Sequence, residues 1–229
     1  MSVVAVIPAY DAAGTVGGVV RATKSFLSHT IVIDDGSADE TGTEARASGG
    51  RVVRLDSNRG KGVALRTGFS EALREGAEAV ITLDADGQHD PTEIPRLLSH
   101  WRRTAAGIVI GSRARSYDAM TPLRRFGNRF SRRAVSFFSG AAVADPQSGF
   151  RLYDARVLRA VPLRGVRYEL ESEVIVKAVR CGFALESVDI RTPTVDGTAT
   201  SHYRPWIDTT RICVAVVLSR LWRPVCSCG

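Results

Sequence analysis

Two carboxylates separated by one residue stand in the stretch Asp84-Ala85-Asp86-Gly87-Gln88-His89, directly after the apolar run Ala79-Val80-Ile81-Thr82-Leu83. Side chains so placed, at the end of a strand, can reach one divalent cation. An all-oxygen donor set suits Mg²⁺ or Mn²⁺, with Gln88 as a further neutral oxygen. Such an ion bridges the phosphates of a nucleotide diphosphate and stabilises its departure. Asp and Gly also favour plain turns, so an isolated Asp-x-Asp is a weak signal. Its position after a strongly apolar strand strengthens it.

Two further clusters stand at element junctions. Asp34-Asp35-Gly36-Ser37 closes the run Thr30-Ile31-Val32-Ile33, where a carboxylate can accept from a nucleobase N–H or from ribose hydroxyls. The alternative is a strand-to-helix turn in which Ser37 or Asp39 caps the next helix. Asn58-Arg59-Gly60-Lys61-Gly62 opens a helical pattern with two glycines and two cations, a composition that favours phosphate at a helix start. It lacks P-loop spacing, so a basic turn is equally open.

The elements that must position these groups alternate in type. Val3–Ile7, Thr30–Ile33, Arg51–Leu55, Ala79–Leu83 and Ile108–Ile110 read as strands. Thr15–Leu27, Asp39–Ala47, Gly60–Glu75 and Thr92–Arg103 read as the helices between them, Leu65, Phe69, Ala72 and Leu73 sharing one face. The pattern predicts an α/β fold with a mostly parallel central sheet flanked by helices, and ligands at the carboxyl ends of its strands. After residue 112 the rhythm changes. Pro122–Ser139 reads as a basic amphipathic helix, Glu169–Arg180 as a helix, Phe183–Ile190 as a strand, Thr192–Thr200 as a polar loop, and Pro205–Trp222 as an apolar segment edged with Trp and Arg.

The six motifs Ile7-Pro8-Ala9-Tyr10, Asp34-Asp35-Gly36-Ser37, Asn58-Arg59-Gly60-Lys61-Gly62, Asp84-Ala85-Asp86-Gly87-Gln88-His89, Gly111-Ser112-Arg113 and Gln147-Ser148-Gly149-Phe150-Arg151 stand in an informative order. Together they resemble glycosyltransferase family 2, in its dolichol-phosphate mannosyltransferase-like, polyprenyl-phosphate branch. The resemblance covers about residues 3–191 and extends to Ser201-His202-Tyr203-Arg204. It implies a GT-A (nucleotide-diphospho-sugar transferase) fold and a metal-dependent, inverting hexosyltransferase. That enzyme would move mannose or glucose from a GDP- or UDP-linked donor to a polyprenyl phosphate. It also implies a catalytic domain over residues 1–200 and a C-terminal amphipathic helix and tail over 201–229.

The resemblance assigns the metal, Mg²⁺ or Mn²⁺, to Asp84, Asp86 and Gln88. It assigns the donor to Pro8, Ala9, Tyr10, Asp34, Asp35, Lys61, Asp84, Ala85 and Asp86. The acceptor phosphate falls to Arg113, Arg125, Ser148 and Arg151. The catalytic set is Asp86, Arg113, Asp145 and Arg151. Where the family usually has Asn-Glu after the first motif, this chain has Asp11-Ala12, which removes a nucleotide contact.

The chemistry is consistent with those roles. Arginine grips phosphate through bidentate hydrogen bonds. A phosphate acceptor is already an anion and needs positioning more than a base. A hydroxyl acceptor, as in a family member that glycosylates a soluble saccharide or natural product, would need one, with Asp145, Glu169 and Glu171 as candidates. Glu169, Glu171 and Glu173 read equally well as the solvated first turn of a helix. His202 could close over donor phosphates from a lid or be an ordinary surface histidine. A sugar nucleotidyltransferase would carry a glycine-rich loop after the first strand; Pro8-Ala9-Tyr10-Asp11 is not one.

The chain has 229 residues, 44% hydrophobic and 24% charged, enough for a full core. Its net charge of +7 suits an anionic partner. No nucleic-acid module is recognisable; the partners that the resemblance implies are a nucleotide-sugar donor and a polyprenyl phosphate or other acceptor, with an anionic membrane surface or a membrane partner protein expected beside them. Cys181, Cys213, Cys226 and Cys228 lack zinc spacing and are expected to be reduced thiols. No signal peptide is apparent, and no apolar stretch approaches the ~20 residues needed to span a bilayer. The expected location is the cytoplasm, either soluble or peripheral on the cytoplasmic face of the membrane.

Overall fold

The computed structural model describes residues 2–113, 132–191 and 205–223. Seven strands form one sheet: β1 (Val3–Ala9), β2 (His29–Asp34), β3 (Arg51–Arg54), β4 (Ala79–Thr82), β5 (Ile108–Ser112), β6 (Arg151–Asp154) and β7 (Leu185–Asp189). Their spatial order is β3-β2-β1-β4-β6-β5-β7. Every pairing is parallel except the two made by β6, which runs antiparallel to both β4 and β5. The helices are α1 (Ala13–Lys24), α2 (Thr41–Ala47), α3 (Lys61–Arg74), α4 (Ile94–Thr104), α5 (Ala155–Ala160), α6 (Glu169–Arg180) and α7 (Pro205–Leu221). Residues 132–139 are also helical.

Strand periodicity sorts the core into two layers. Val3, Ala5, Ile7 and Ala9 of β1 pack with Val16 and Val20 of α1 and Leu97 and Trp101 of α4. Val4 and Val6 point to the opposite face, against Leu65 and Phe69 of α3 and Leu170 and Val174 of α6. Both faces are covered, which is why the strands read as continuous apolar runs rather than alternating ones. β1 pairs with β4 only as far as Val6 with Thr82, so Pro8, which has no N–H, lies beyond that ladder.

The expected α/β alternation is present, with helix and strand ends shifted by one to three residues. Two elements were not anticipated. β6 begins at Arg151, the last residue of the Gln147–Arg151 motif, and runs to Asp154, and α5 follows it directly. β6 carries Arg151 to the carboxyl edge of the sheet, opposite Thr82 of β4 and Ile110 of β5. The thiol expectation fails at Cys181, which is disulfide-bonded; Cys213 is free. Arg125 with the rest of 114–131, the Thr192–Thr200 loop, His202 and the last two cysteines lie outside the described residues.

Candidate active site

The carboxyl ends of β1, β2, β4 and β5 share one edge, and the chemistry-bearing residues leave from it. Asp84 and Asp86 follow β4, with Ala85 buried between them. The backbone N–H of Asp84 donates to Nδ1 of His89 at 3.0 Å, and that of Gln88 to Oδ1 of Asp86 at 2.9 Å, so the loop is held from within. Burial pushes the His89 imidazole down to about 4, an effect that outweighs the pull of Asp84. His89 is therefore a neutral acceptor, stacked on Phe150 at 5.5 Å between ring centroids.

Lys61 is the first residue of α3, and its Nζ lies 2.6 Å from Oδ1 of Asp84 and 3.3 Å from Oε1 of Glu171. Burial would raise the Asp84 carboxyl, but the Lys61 ammonium, with the more distant Arg113, holds it well below the ordinary carboxylate range. Burial disfavours the Lys61 charge, yet Asp84 and Glu171 more than offset this and raise its pKa. Asp86 is shifted the other way, upward, first by burial and then by the neighbouring Asp84 charge. The Tyr168 ring lies 5.7 Å from Nζ of Lys61.

At the helix start of Gly60, where phosphate binding and a basic turn were equally open, most of the N–H groups are already taken. Gly62 and Val63 donate to the carbonyl of Val166, at 3.0 and 3.2 Å, and Gly60 donates to Oδ2 of Asp35 at 2.7 Å. Gly60 has φ +96°, and a Cβ there would lie 2.5 Å from the Val166 oxygen, so glycine is required for this closure. The Lys61 side chain brings a cation to this end of α3.

Asp34 and Asp35 also carry much of the loop architecture. Asp34 accepts from Ser37 N–H and pairs with Arg54 at 2.9 Å. Asp35 accepts from the N–H groups of Arg59 and Gly60, and its carboxyl is raised by burial against those bonds. Asp11, at φ +46°, donates its N–H to Ser37 Oγ and accepts from Ala38 N–H, so the departure at Asp11-Ala12 ties the β1 and β2 loops together. Pro8 and Ala9 are buried in β1, and the Ala9 carbonyl accepts from Asp35 N–H.

Beyond β5, Arg113 donates through its backbone N–H and Nε to Oδ2 of Asp145, which is fully buried. Arg151 differs most from expectation. It is completely buried, and its Nε, Nη1 and Nη2 donate to the carbonyls of Ser148, Glu171 and Pro146 at 2.6, 2.7 and 2.7 Å. A guanidinium engaged in this way braces three chain segments and is not placed to grip an acceptor phosphate. Ser148 is likewise buried, its Oγ accepting from Phe150 N–H.

The acids of α6 are not a solvated helix start. Glu169, Glu171 and Glu173 are each at most 6% exposed, and they pair with Arg211, Lys61 and Lys177 respectively. Sequence reasoning left Glu171 and Tyr168 unplaced beside Lys61. It also gave Gly149 no role, although a Cβ there would lie 2.6 Å from Oδ2 of Asp84. The glycine in the Gln147–Arg151 motif was the available signal.

Together, Asp84, Asp86, Lys61, Arg113, Asp145 and Glu171 form one charged cluster at the sheet edge. Among the described residues no three His, Cys, Asp or Glu side chains form a closed metal cage. Two carboxylates in a niche kept open by Gly149 instead suit a Mg²⁺-like ion that takes its remaining ligands from phosphate and water. The residues present therefore fit such an ion.

Comparisons with known proteins agree with this picture. The family model described as Glycosyl transferase family 2 matches residues 4–162. The polyprenol monophosphomannose synthase of Mycolicibacterium smegmatis is 33% identical over 71% of this chain and 65% of its own. The UDP-N-acetylglucosamine–dolichyl-phosphate N-acetylglucosaminyltransferase of Methanococcus voltae is 28% identical over 82% of this chain and 84% of its own. Among solved structures, glucosyl-3-phosphoglycerate synthase from Mycobacterium tuberculosis, bound to Mn²⁺, UDP and its product, superimposes with a TM-score of 0.72. It is 21% identical and covers 96% of this chain and 79% of its own, a likeness of fold.

Proposed function

Because the chain belongs to glycosyltransferase family 2 and has its GT-A fold, we propose that it transfers a hexose, mannose or glucose, from a GDP- or UDP-linked donor to a polyprenyl phosphate, with inversion. The relatives named for polyprenyl and dolichyl phosphates support the acceptor class. The observation that carries the reading is the state of the candidate bases. Asp145, Glu169 and Glu171 are all buried, and each is already paired with a cation: Arg113, Arg211 and Lys61. A hydroxyl nucleophile needs a carboxylate that it can reach and that takes up a proton readily, and burial beside a cation opposes both. An anionic phosphate oxygen needs neither.

In this reading Asp84 and Asp86, with Gln88, hold Mg²⁺ or Mn²⁺, which would neutralise the diphosphate as it leaves. Lys61 adds a second positive charge beside Asp84. Arg113, oriented by Asp145, supplies a guanidinium whose charge acts on both Asp84 and Asp86 and screens the approach of the acceptor anion. Arg151 fixes the Ser148–Pro146 turn and the Glu171 backbone, acting through position. In the same reading the base and ribose would lie beside Tyr10, over the β1 and β2 loops that the buried Asp34 and Asp35 hold in place.

The membrane supplies a polyprenyl acceptor, and α7 offers a surface for it. Ile207, Val214, Leu218 and Leu221 are 53, 52, 61 and 72% exposed and share one helix face. The charges of α7 that reach solvent, Arg211 and Arg220, are cationic, while Asp208 is fully buried against Arg167. An apolar stripe flanked by arginine matches an anionic leaflet. No helix among the described residues is long and apolar enough to cross a membrane.

The deciding experiment has two arms. A thermal-shift screen of GDP- and UDP-sugars with Mn²⁺ or Mg²⁺ is expected to give a shift with one donor that Asp86→Ala abolishes. Transfer of labelled sugar is expected to polyprenyl phosphate and not to soluble hydroxyl acceptors. A shift unchanged in Asp86→Ala, or transfer to hydroxyls alone, would sink the proposal.

A further inference from the structure

We infer that Lys61 is the resident counter-cation of Asp84, and that it yields this carboxylate to a divalent ion only when a nucleoside diphosphate arrives to take the ammonium. The inference rests on the metal site proposed above. Its consequence is that the metal and the diphosphate bind as a coupled pair.

The geometry has three parts. First, the ammonium already occupies the metal's ligand: Nζ of Lys61 is 2.6 Å from Oδ1 of Asp84, closer than to its second partner, Oε1 of Glu171, at 3.3 Å. An ion approaching Asp84 meets both an occupied oxygen and a like charge. Second, the backbone of Lys61 is fixed while its side chain is not. The neighbouring N–H groups of Gly60, Gly62 and Val63 are anchored to Asp35 and Val166, leaving four flexible methylenes as the moving part. Third, Glu171 and the Tyr168 ring stand beside Nζ, so an ammonium released by Asp84 stays in the cleft. A diphosphate oxygen supplies the negative charge that replaces Asp84 as its main partner.

Without diphosphate, then, Lys61 competes with the metal for Asp84. With diphosphate it cooperates, since both cations contact the same anion. By linkage the nucleotide raises metal affinity by the same factor as the metal raises nucleotide affinity.

The test is Mn²⁺ binding by calorimetry and by electron paramagnetic resonance, with and without UDP or GDP, on wild type, Lys61→Met, Lys61→Arg and Asp86→Ala. Wild type is expected to bind Mn²⁺ at least about ten-fold more tightly with the preferred diphosphate than without it. Lys61→Met is expected to bind Mn²⁺ alone more tightly than wild type and to lose most of the diphosphate effect. Lys61→Arg, which keeps the charge, is expected to retain the coupling. If Lys61→Met folds poorly, Lys61→Gln, which also removes the charge, makes the same comparison. Equal Mn²⁺ affinity of wild type with and without diphosphate, or Mn²⁺ binding no tighter in Lys61→Met, overturns the inference and leaves the metal site intact. Mn²⁺ binding absent from wild type under every condition, or unaffected by Asp86→Ala, overturns the metal site and the inference with it.

Discussion

Gly149 and Asp84 meet across the junction of β4 and β6 so closely that a methyl group has no room between them. A Cβ on Gly149 would lie 2.6 Å from Oδ2, 2.9 Å from Cγ and 2.9 Å from Oδ1 of Asp84. The Gly149 backbone cannot retreat easily, because Thr82 Oγ1 donates to its carbonyl at 2.7 Å. Gly149→Ala should therefore displace the Asp84 carboxylate while leaving the sheet folded. Displacements of about 1 Å at a reacting centre cost on the order of 100-fold in rate. Transferase kinetics are expected to show a fall of at least about ten-fold in kcat/KM, alongside an unchanged far-UV circular dichroism spectrum.

Gly68 lies on the face of α3 that meets the sheet, where a Cβ would fall 2.3 Å from Cγ1 of Val6. Alanine improves helix propensity by about 1 kcal/mol but overpacks this contact, which typically costs about 1–3 kcal/mol. Because Val6 is fully buried in a central strand, the packing effect should win. Urea unfolding of Gly68→Ala is expected to show a net loss of stability; a gain would mean that α3 shifts freely on the sheet.

The Glu169–Arg211 pair makes the docking of α7 on α6 sensitive to acid. Burial raises the Glu169 carboxyl, but hydrogen bonds from Arg211 and from backbone N–H groups outweigh it and hold the folded-state value below the ordinary 4.5. A depressed carboxyl contributes stability that is present above the unfolded value and is lost as pH falls through the folded one. Wild type should thus lose stability below about pH 4.5 faster than Glu169→Gln, whose amide does not titrate. Parallel Tm curves for the two proteins between neutral pH and about pH 3 would contradict this.

The apolar stripe of α7 can be separated from folding. Leu218 and Leu221 are 61 and 72% exposed, and exposed substitutions typically change stability by no more than about 0.5 kcal/mol. Leu218→Glu with Leu221→Glu should keep the Tm close to wild type and weaken co-sedimentation with anionic phosphatidylglycerol vesicles. Transfer to a short, water-soluble polyprenyl phosphate should persist. Undiminished vesicle binding would remove α7 from the membrane surface proposed for it.

Much of this protein was legible in its residues because local periodicity reports burial. The apolar runs at Val3, Thr30 and Ala79 became parallel strands, since a strand covered on both faces is apolar throughout. The Asp84–Asp86 pair lies at a strand's carboxyl end for the same reason: the run before it is a strand. Six motifs in order resembled one family, and the family model matches residues 4–162.

The sequence could not reveal which residue each charge meets. Arg151 looks like a phosphate ligand when it is one arginine among many. Only the antiparallel insertion of β6 between β4 and β5 buries it and directs its guanidinium to three carbonyls. Glu169, Glu171 and Glu173 look like a solvated helix start until α7, α3 and α6 itself bring Arg211, Lys61 and Lys177 against them. Burial is written into spacing along the chain. Ion pairing across 42 residues, as between Glu169 and Arg211, is decided by how the elements pack, because a charge carries no record of the partner that folding will place beside it.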